Sequence, residues 1–196
     1  METKELFENF PKDLIKDLPI SRFEGRIFVI TTEQESERAV KYLMQQSILG
    51  FDTETRPSFK KWHRYKVSLL QICSVDTCFL FRLHLTGITP GIKNLLEDTH
   101  ITKVGLSLRD DFRQLHERSI FTAGTFTDLQ DMVRELGVAD ASLQKIYANL
   151  FRAKISKSQQ LSNWEADILS EAQKLYAATD AWACIQIYNE IHSLLQ

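Results

Sequence analysis

From Arg26 onward, short apolar runs alternate with longer amphipathic stretches. Arg26–Ile30 reads as a strand and Glu33–Gln46 as a helix. Ile48–Glu54 is a short apolar run with a polar end, the pattern of a buried strand. Val67–Val75 and Cys78–Leu83 predict two further strands, joined through Asp76-Thr77 as a hairpin. A short helix follows Gly91 as far as Asp98. Then come a strand over Lys103–Leu106, a helix over Leu108–Arg118 and a brief strand at Thr125-Phe126-Thr127. The remainder is helical, over Asp128–Leu136, Ser142–Phe151 and from Ser170 to the C-terminus. This order predicts a mixed β-sheet flanked by helices, an α/β domain spanning 25–196. Residues 1–24 read as a short helical extension ending near Pro19.

Charged residues interrupt these buried patterns in three places. In a strand, alternate side chains share a face, so Asp52 and Glu54 point the same way. Two like charges that close raise each other's pKa unless a cation lies between them. The plainer reading is a strand end running into a polar loop. Asp111 falls on the apolar stripe of Leu108, Phe112 and Leu115, whereas Asp110 points away from it. An acidic first turn that suits the helix dipole explains Asp110 better than Asp111. Tyr176 and Asp180, four residues apart, continue the stripe of Ala183, Ile187, Ile191 and Leu194. Alone, that pair is also compatible with a core tyrosine and an aspartate bonded to a neighbour. Together, four inward carboxylates on three elements would each cost several kcal/mol without compensation. Hard divalent cations with oxygen ligands provide it, and Mg²⁺ or Mn²⁺ suits an all-carboxylate site.

Composition changes this picture little. The 196 residues carry a formal net charge of −2, with 26% charged and 43% hydrophobic residues, as in an ordinary globular domain. The near-neutral balance argues mildly against a nucleic-acid partner, but a carboxylate cluster lowers net charge while a local basic patch still holds phosphate. No apolar stretch is long enough to cross a bilayer, and the acidic N-terminus has neither signal-peptide nor mitochondrial character. A cytoplasmic protein without a membrane or obligate protein partner is expected. Cys73, Cys78 and Cys184 offer neither a disulfide framework nor a zinc site, and are expected as buried free thiols.

Three motifs occur in order: Gly50-Phe51-Asp52-Thr53-Glu54, Lys103-Val104-Gly105 leading to Asp111 and Leu115, and Tyr176-Ala177-Ala178-Thr179-Asp180. With Val67-Ser68-Leu69-Leu70-Gln71-Ile72, Lys157-Ser158-Gln159 and Leu161-Ser162-Asn163-Trp164, they resemble the DEDDy subgroup of 3′–5′ exonucleases, which contains ribonuclease D and the Werner-type exonuclease domain. The run from Asp52 to Lys60 resembles that of stand-alone bacterial members. The resemblance implies an RNase H-like fold and two metal ions. Asp52 would bridge them, Glu54 and Asp180 would complete the tighter site, and Asp111 would hold the second ion through water. Tyr176 would orient the attacking water. A sister subgroup has His at the position of Leu175, so the tyrosine assignment stands. The implied product is a nucleoside 5′-monophosphate released from a 3′ end, with DNA favoured over RNA by the Werner-type similarity.

The stretch Lys60-Lys61-Trp62-His63-Arg64-Tyr65-Lys66 is the most basic in the chain. Its cations suit phosphates and its rings suit bases, without sequence preference. A solvated loop with a locally packed Trp is the alternative. Lys157, and with it Arg152 and Lys154, would line the same groove, and Phe59 would wedge against a terminal base. Two other functional readings compete with the enzyme. One is a noncatalytic nucleic-acid-binding or protein-interaction module on the same fold, which such completeness of motif disfavours. The other is a hydrolase of small nucleotides, against which the basic, aromatic loop speaks.

Overall fold

A computed structural model describes residues 5–58, 60–62 and 64–195. In chain order the strands are β1 (Arg26–Ile30), β2 (Ile48–Glu54), β3 (Leu69–Cys73), β4 (Thr77–Phe81), β5 (Thr102–Gly105) and β6 (Phe126–Asp128). They form one sheet in the order β1-β4-β3-β2-β5-β6. β2, β3 and β4 are an antiparallel meander; β1 joins β4 in parallel, and β5 and β6 extend the sheet parallel to β2. The helices are α1 (Glu33–Leu43), α2 (Leu83–Thr86), α3 (Pro90–Glu97), α4 (Leu108–His116), α5 (Leu129–Glu135), α6 (Leu143–Phe151) and α7 (Glu171–Leu194). α1, α3 and α4 bury one sheet face, and α5, α6 and α7 the other. The result is the mixed, helix-flanked α/β architecture that the sequence pattern predicts.

Local chemistry sets the helix starts. Thr32 accepts from the Glu35 N–H while the Glu35 carboxylate accepts from the Thr32 N–H, a capping box that opens α1. Ser170 and Gln173 repeat the arrangement at the start of α7. Thr89 caps α3, with Pro90 in the first turn where a missing N–H does no harm.

The helical layer comes hard against the sheet at Gly50. A Cβ there would lie 1.9 Å from the Ala181 carbonyl oxygen, so α7 rests directly on the backbone of β2. Only glycine permits that contact. It places Asp180, the neighbour of Ala181, over the end of β2 that carries Asp52 and Glu54.

Two expectations need correction. Cys73 and Cys78 are not free thiols but a disulfide. They are register partners across the β3–β4 hairpin, with Cα atoms 4.0 Å apart, a juxtaposition created by the turn rather than visible in their spacing. Cys184 is free and buried as expected. Among its described residues, the helical part of the N-terminal extension is a 3-10 helix over Lys12–Asp17, between Pro11 and Pro19. It is held by packing instead: Phe10 and Ile15 bury against Ala148 of α6. The Phe10 N–H donates to Asp140 Oδ2 at 2.6 Å, and the Phe23 N–H to Thr179 Oγ1 at 3.1 Å.

Candidate active site

Asp52 and Glu54 leave the same face of β2 because strand side chains alternate. The other face of β2 carries Leu49 and Phe51, both fully buried beneath α1, α3 and α4. Asp180 meets the first pair from α7. One oxygen from each of Asp52, Glu54 and Asp180 lies within 4.8 Å of the others. Asp111 stands just outside this trio, within Coulombic reach of Asp52 and Glu54. Its Oδ1 accepts the Thr53 hydroxyl. Asp110 turns to solvent and pairs with Arg113 at 3.1 Å, as the helical stripe predicts.

Asp128 fixes the helix that carries Asp111. Its Oδ1 accepts from the Ser107 N–H at 3.1 Å and the Gln130 N–H at 2.9 Å, and its Oδ2 accepts from the Leu108 N–H at 2.9 Å. One carboxylate thereby caps α4 and α5 together and supports the left-handed turn at Ser107, where φ is 60°. Sequence reasoning missed this role. An aspartate between a short strand and a helical stretch is a recognisable cap signal, but its second helix is visible only in three dimensions.

All four carboxyls are driven towards their protonated forms. The side chains keep some contact with solvent at the cleft floor, yet protein surrounds them closely enough for desolvation to dominate. Burial, then the Asp180 charge, pushes Asp52 up to about 8. Burial, followed by the charges of Asp52, Asp180 and Asp111, pushes Glu54 up to about 10. Asp111 rises to about 8 through burial and then Asp52. Asp180 rises least, to about 7, because a hydrogen bond from Tyr176 and the charge of Lys157 offset its burial. Tyr176 is pushed well above the ordinary phenol value by burial and the neighbouring carboxylates.

Among the described residues none of the four carboxylates forms an ion pair, so their mutual repulsion is not relieved by protein cations in contact. Oxygens clustered at this spacing, with no basic partner, fit divalent ions. A zinc site of the Cys/His kind is excluded by the donor set.

Residues 27–196 match the model of a 3′–5′ exonuclease family. The chain belongs to that family. The bifunctional 3′–5′ exonuclease/ATP-dependent helicase WRN of Mus musculus is 32% identical over 194 residues, covering 93% of this chain but 14% of that protein. A 3′–5′ exonuclease of Arabidopsis thaliana is 30% identical over 196 residues, covering 91% of this chain and 68% of that protein. Among solved structures, Escherichia coli RNase D, described as an exoribonuclease involved in structured RNA processing, has a TM-score of 0.78 at 19% identity, covering 86% of this chain and 45% of that one. That likeness shows the RNase H-like fold. The enzymatic reading therefore stands ahead of the noncatalytic module.

The strand-binding candidates of this chain separate into groups. Lys60, Lys61 and Arg64 are exposed. Trp62 is 93% exposed, with φ of 68°, and Lys61 Nζ lies 5.8 Å from its ring centre. Lys60 shares a small cleft with Arg56, Ser58, Tyr65, Leu161 and Asn163. The Lys66 ammonium instead donates to the Glu117 carbonyl at 2.6 Å, at the end of α4. Lys157 is exposed and close enough to attract Asp180. Phe59 and His63 lie outside the described residues.

Arg152 and Lys154 do not line the groove as expected. Arg152 donates to the carbonyls of Asn149 and Glu5, each at 2.6 Å, and lies over Phe7 and Phe10. Lys154 donates to the Lys16 carbonyl. Both cations serve the seam between α6 and the N-terminal extension, whose exposed carbonyls need donors.

Proposed function

We propose that this domain removes nucleotides from the 3′ end of a nucleic-acid strand by hydrolysis supported by two divalent cations, Mg²⁺ or Mn²⁺. The convergence of Asp52, Glu54 and Asp180 within 4.8 Å carries the reading. Asp52, Glu54 and Asp180 would hold the ions, with Asp52 shared between them. Asp111, already engaged by Thr53, would hold the second through water. Bound there, such ions activate water as a nucleophile and stabilise charge on the scissile phosphate and the leaving oxygen. The chain's own groups do the rest. Tyr176 lies against Asp180 and orients the water; its raised pKa supports an orienting hydroxyl rather than a base. The exposed Lys60, Lys61, Trp62 and Arg64, with Lys157 near Asp180, would hold phosphates and stacked bases. Loading the site expels the protons that the carboxyls hold in the free protein, so metal affinity should rise with pH.

The product of this chemistry is a nucleoside 5′-monophosphate. DNA is placed ahead of RNA on the similarity to the Werner-type domain; the fold shared with an exoribonuclease supports the opposite choice. One gel separates them: 3′- and 5′-labelled DNA and RNA, each with Mg²⁺, Mn²⁺ or chelator. Immediate loss of the 3′ label as mononucleotide, a ladder from the 5′-labelled strand and abolition by chelator are expected, with DNA shortened faster. A shortened strand that keeps its 3′ label, or activity undiminished by chelator, overturns the reading.

A further inference from the structure

Buried polar atoms in folded proteins almost always have hydrogen-bond partners, and an orphan costs about 1–3 kcal/mol. Among the described residues, four buried side-chain atoms have none: Nε2 and Oε1 of Gln71, Nε1 of Trp164 and Nε of Arg82. Three of these four belong to two fully buried residues that flank the acidic cluster. Neither residue is among the groups assigned above to the chemistry.

Gln71 sits on β3 as the register partner of Asp52. Directly opposed residues of antiparallel strands share a face, with Cβ atoms about 4.5–5.5 Å apart. The Gln71 side chain therefore leaves the sheet on the same, α7 side as the Asp52 carboxyl. Its β3 neighbours on that face, Leu69 and Cys73, belong to the apolar core beneath α7. An apolar residue would fill this position without any desolvation cost, yet a primary amide occupies it.

Trp164 approaches Glu54 from the loop before α7. Its indole N–H lies close enough to draw the Glu54 carboxyl downward, but at a geometry short of an ordinary hydrogen bond. The loop that holds it is tied at several points. The Gln173 amide donates to the Asn163 carbonyl at 3.2 Å, and Arg82 donates to the carbonyls of Ala166 and Asp167. Glu165 pairs with Arg56 at 3.4 Å and accepts the Ser68 hydroxyl at 3.1 Å. The indole ring packs on Tyr176, with ring centres 6.0 Å apart. These ties hold the indole in place beside Glu54.

We propose that Gln71 and Trp164 are positioning residues for the metal centre, their N–H groups taking the outer oxygens of Asp52 and Glu54 when cations hold the inner ones. The inference rests on the metal-site reading above. Outer partners of this kind orient a ligand and raise its basicity, and removing one weakens metal binding about 10–100-fold. The two residues serve the two carboxylates nearest the centre of the sheet, whereas Asp111 has Thr53 and Asp180 has Tyr176 in the same capacity. Each of the four carboxyls then has one donor of its own.

The test uses the full chain with Trp164→Phe, which keeps an aromatic ring against Tyr176, and Gln71→Leu, which keeps side-chain bulk. Mn²⁺ binding is followed by calorimetry and by the resonance signal of free Mn²⁺. Thermal unfolding is followed in chelator. Each variant should raise the Mn²⁺ Kd roughly tenfold or more. The metal-free Tm of Gln71→Leu should be unchanged or higher, because two orphaned atoms are gone. A purely structural role would lower that Tm and leave the Kd alone. Unchanged Kd in both variants, with normal binding by the parent chain, overturns this inference and leaves the metal site intact. Absence of Mn²⁺ binding by the parent chain overturns the metal site itself and this inference with it. If Trp164→Phe fails to fold, Gln71→Leu alone decides, and a normal Kd there overturns the pairing.

Discussion

The two faces of β2 follow opposite rules. One face presents Leu49 and Phe51, both fully buried, to α1, α3 and α4. Phe51 meets Phe126 edge to face at 5.3 Å, and Phe112 at 6.4 Å. Around Leu49 and Phe51 the buried neighbours form one apolar cluster, and burial is favourable at about 25 cal/mol per Å²; the face turns polar only at its end, where Thr53 meets Asp111. The other face presents Gly50, Asp52 and Glu54 to α7. There a missing side chain allows a close approach, and two carboxyls are held among other carboxyls. The same strand thus contributes stability on one side and spends it on the other. A protein keeps such a face where charge is needed, and the apolar face makes it tolerable.

A pair of substitutions separates the two roles most sharply. Asp52→Ala should lower turnover of a 3′-labelled oligonucleotide by roughly a thousandfold or more, since losing a bridging ligand forfeits several kcal/mol at about 1.36 kcal/mol per decade. Its fold should survive, because the group removed is a desolvated carboxyl whose pKa burial has raised. Phe51→Ala should do the reverse: a loss of about 3–5 kcal/mol in urea unfolding, with Mn²⁺ affinity of the folded fraction little changed. Asp52→Ala protein that still degrades the strand at the parental rate would remove the basis of the comparison.

The pH dependence of the metal-free protein sharpens it further. In chelator the unfolded chain has released its carboxyl protons above about pH 4, at the ordinary value for such groups. The folded chain holds protons on Asp52, Glu54, Asp111 and Asp180 up to about 7 to about 10. Between those limits the unfolded state binds fewer protons than the native state, so stability falls as pH rises. Tm in chelator should therefore drop from about pH 6 to about pH 8.5. Asp52→Asn should flatten that slope, and Mn²⁺ should reverse it because binding displaces the same protons. A parental Tm that climbs over this interval would mean that the acidic face is not strained.

These outcomes also bear on what the sequence revealed. Element types were legible because the apolar periods are clean: β1 and β2 fall at Arg26–Ile30 and Ile48–Glu54 as expected, while the hairpin strands are shorter than expected and its bend falls at Val75-Asp76, so that Thr77 opens β4 instead of belonging to the turn. The candidate site was legible because Asp52, Asp111 and Asp180 break apolar stripes, and a broken stripe is a signal confined to one element. What stayed hidden depends on pairs of elements. The Cys73–Cys78 bond needs the hairpin register, and the double cap by Asp128 needs β6 beside α4. Arg152 and Lys154 read as phosphate ligands because charge is visible in sequence, whereas the carbonyls of Glu5 and Lys16 that capture them are not. Gln71 was visible only as part of a strand motif; its orphaned amide appears once the sheet is assembled.

The loop after β2 belongs to neither face, which makes it the finest test of the comparison. Lys60, Lys61 and Arg64 are exposed, and Trp62 is almost fully so, an arrangement that adds nothing to core packing. Lys66 is left out because its ammonium is engaged by the Glu117 carbonyl. Replacing Lys60, Lys61 and Arg64 together by Ala should leave Tm and saturated turnover near the parental values. Capture of the strand should change instead. Each lost phosphate contact removes counterion release of about 0.7 ion for a single strand, so the slope of log affinity against log salt should shrink by about 2. Weakening should be greatest at low salt and fade as screening grows. A triple variant with the parental slope would show that the phosphates are held elsewhere. Lys157 would then be the next residue to replace, because it is exposed and its charge reaches Asp180.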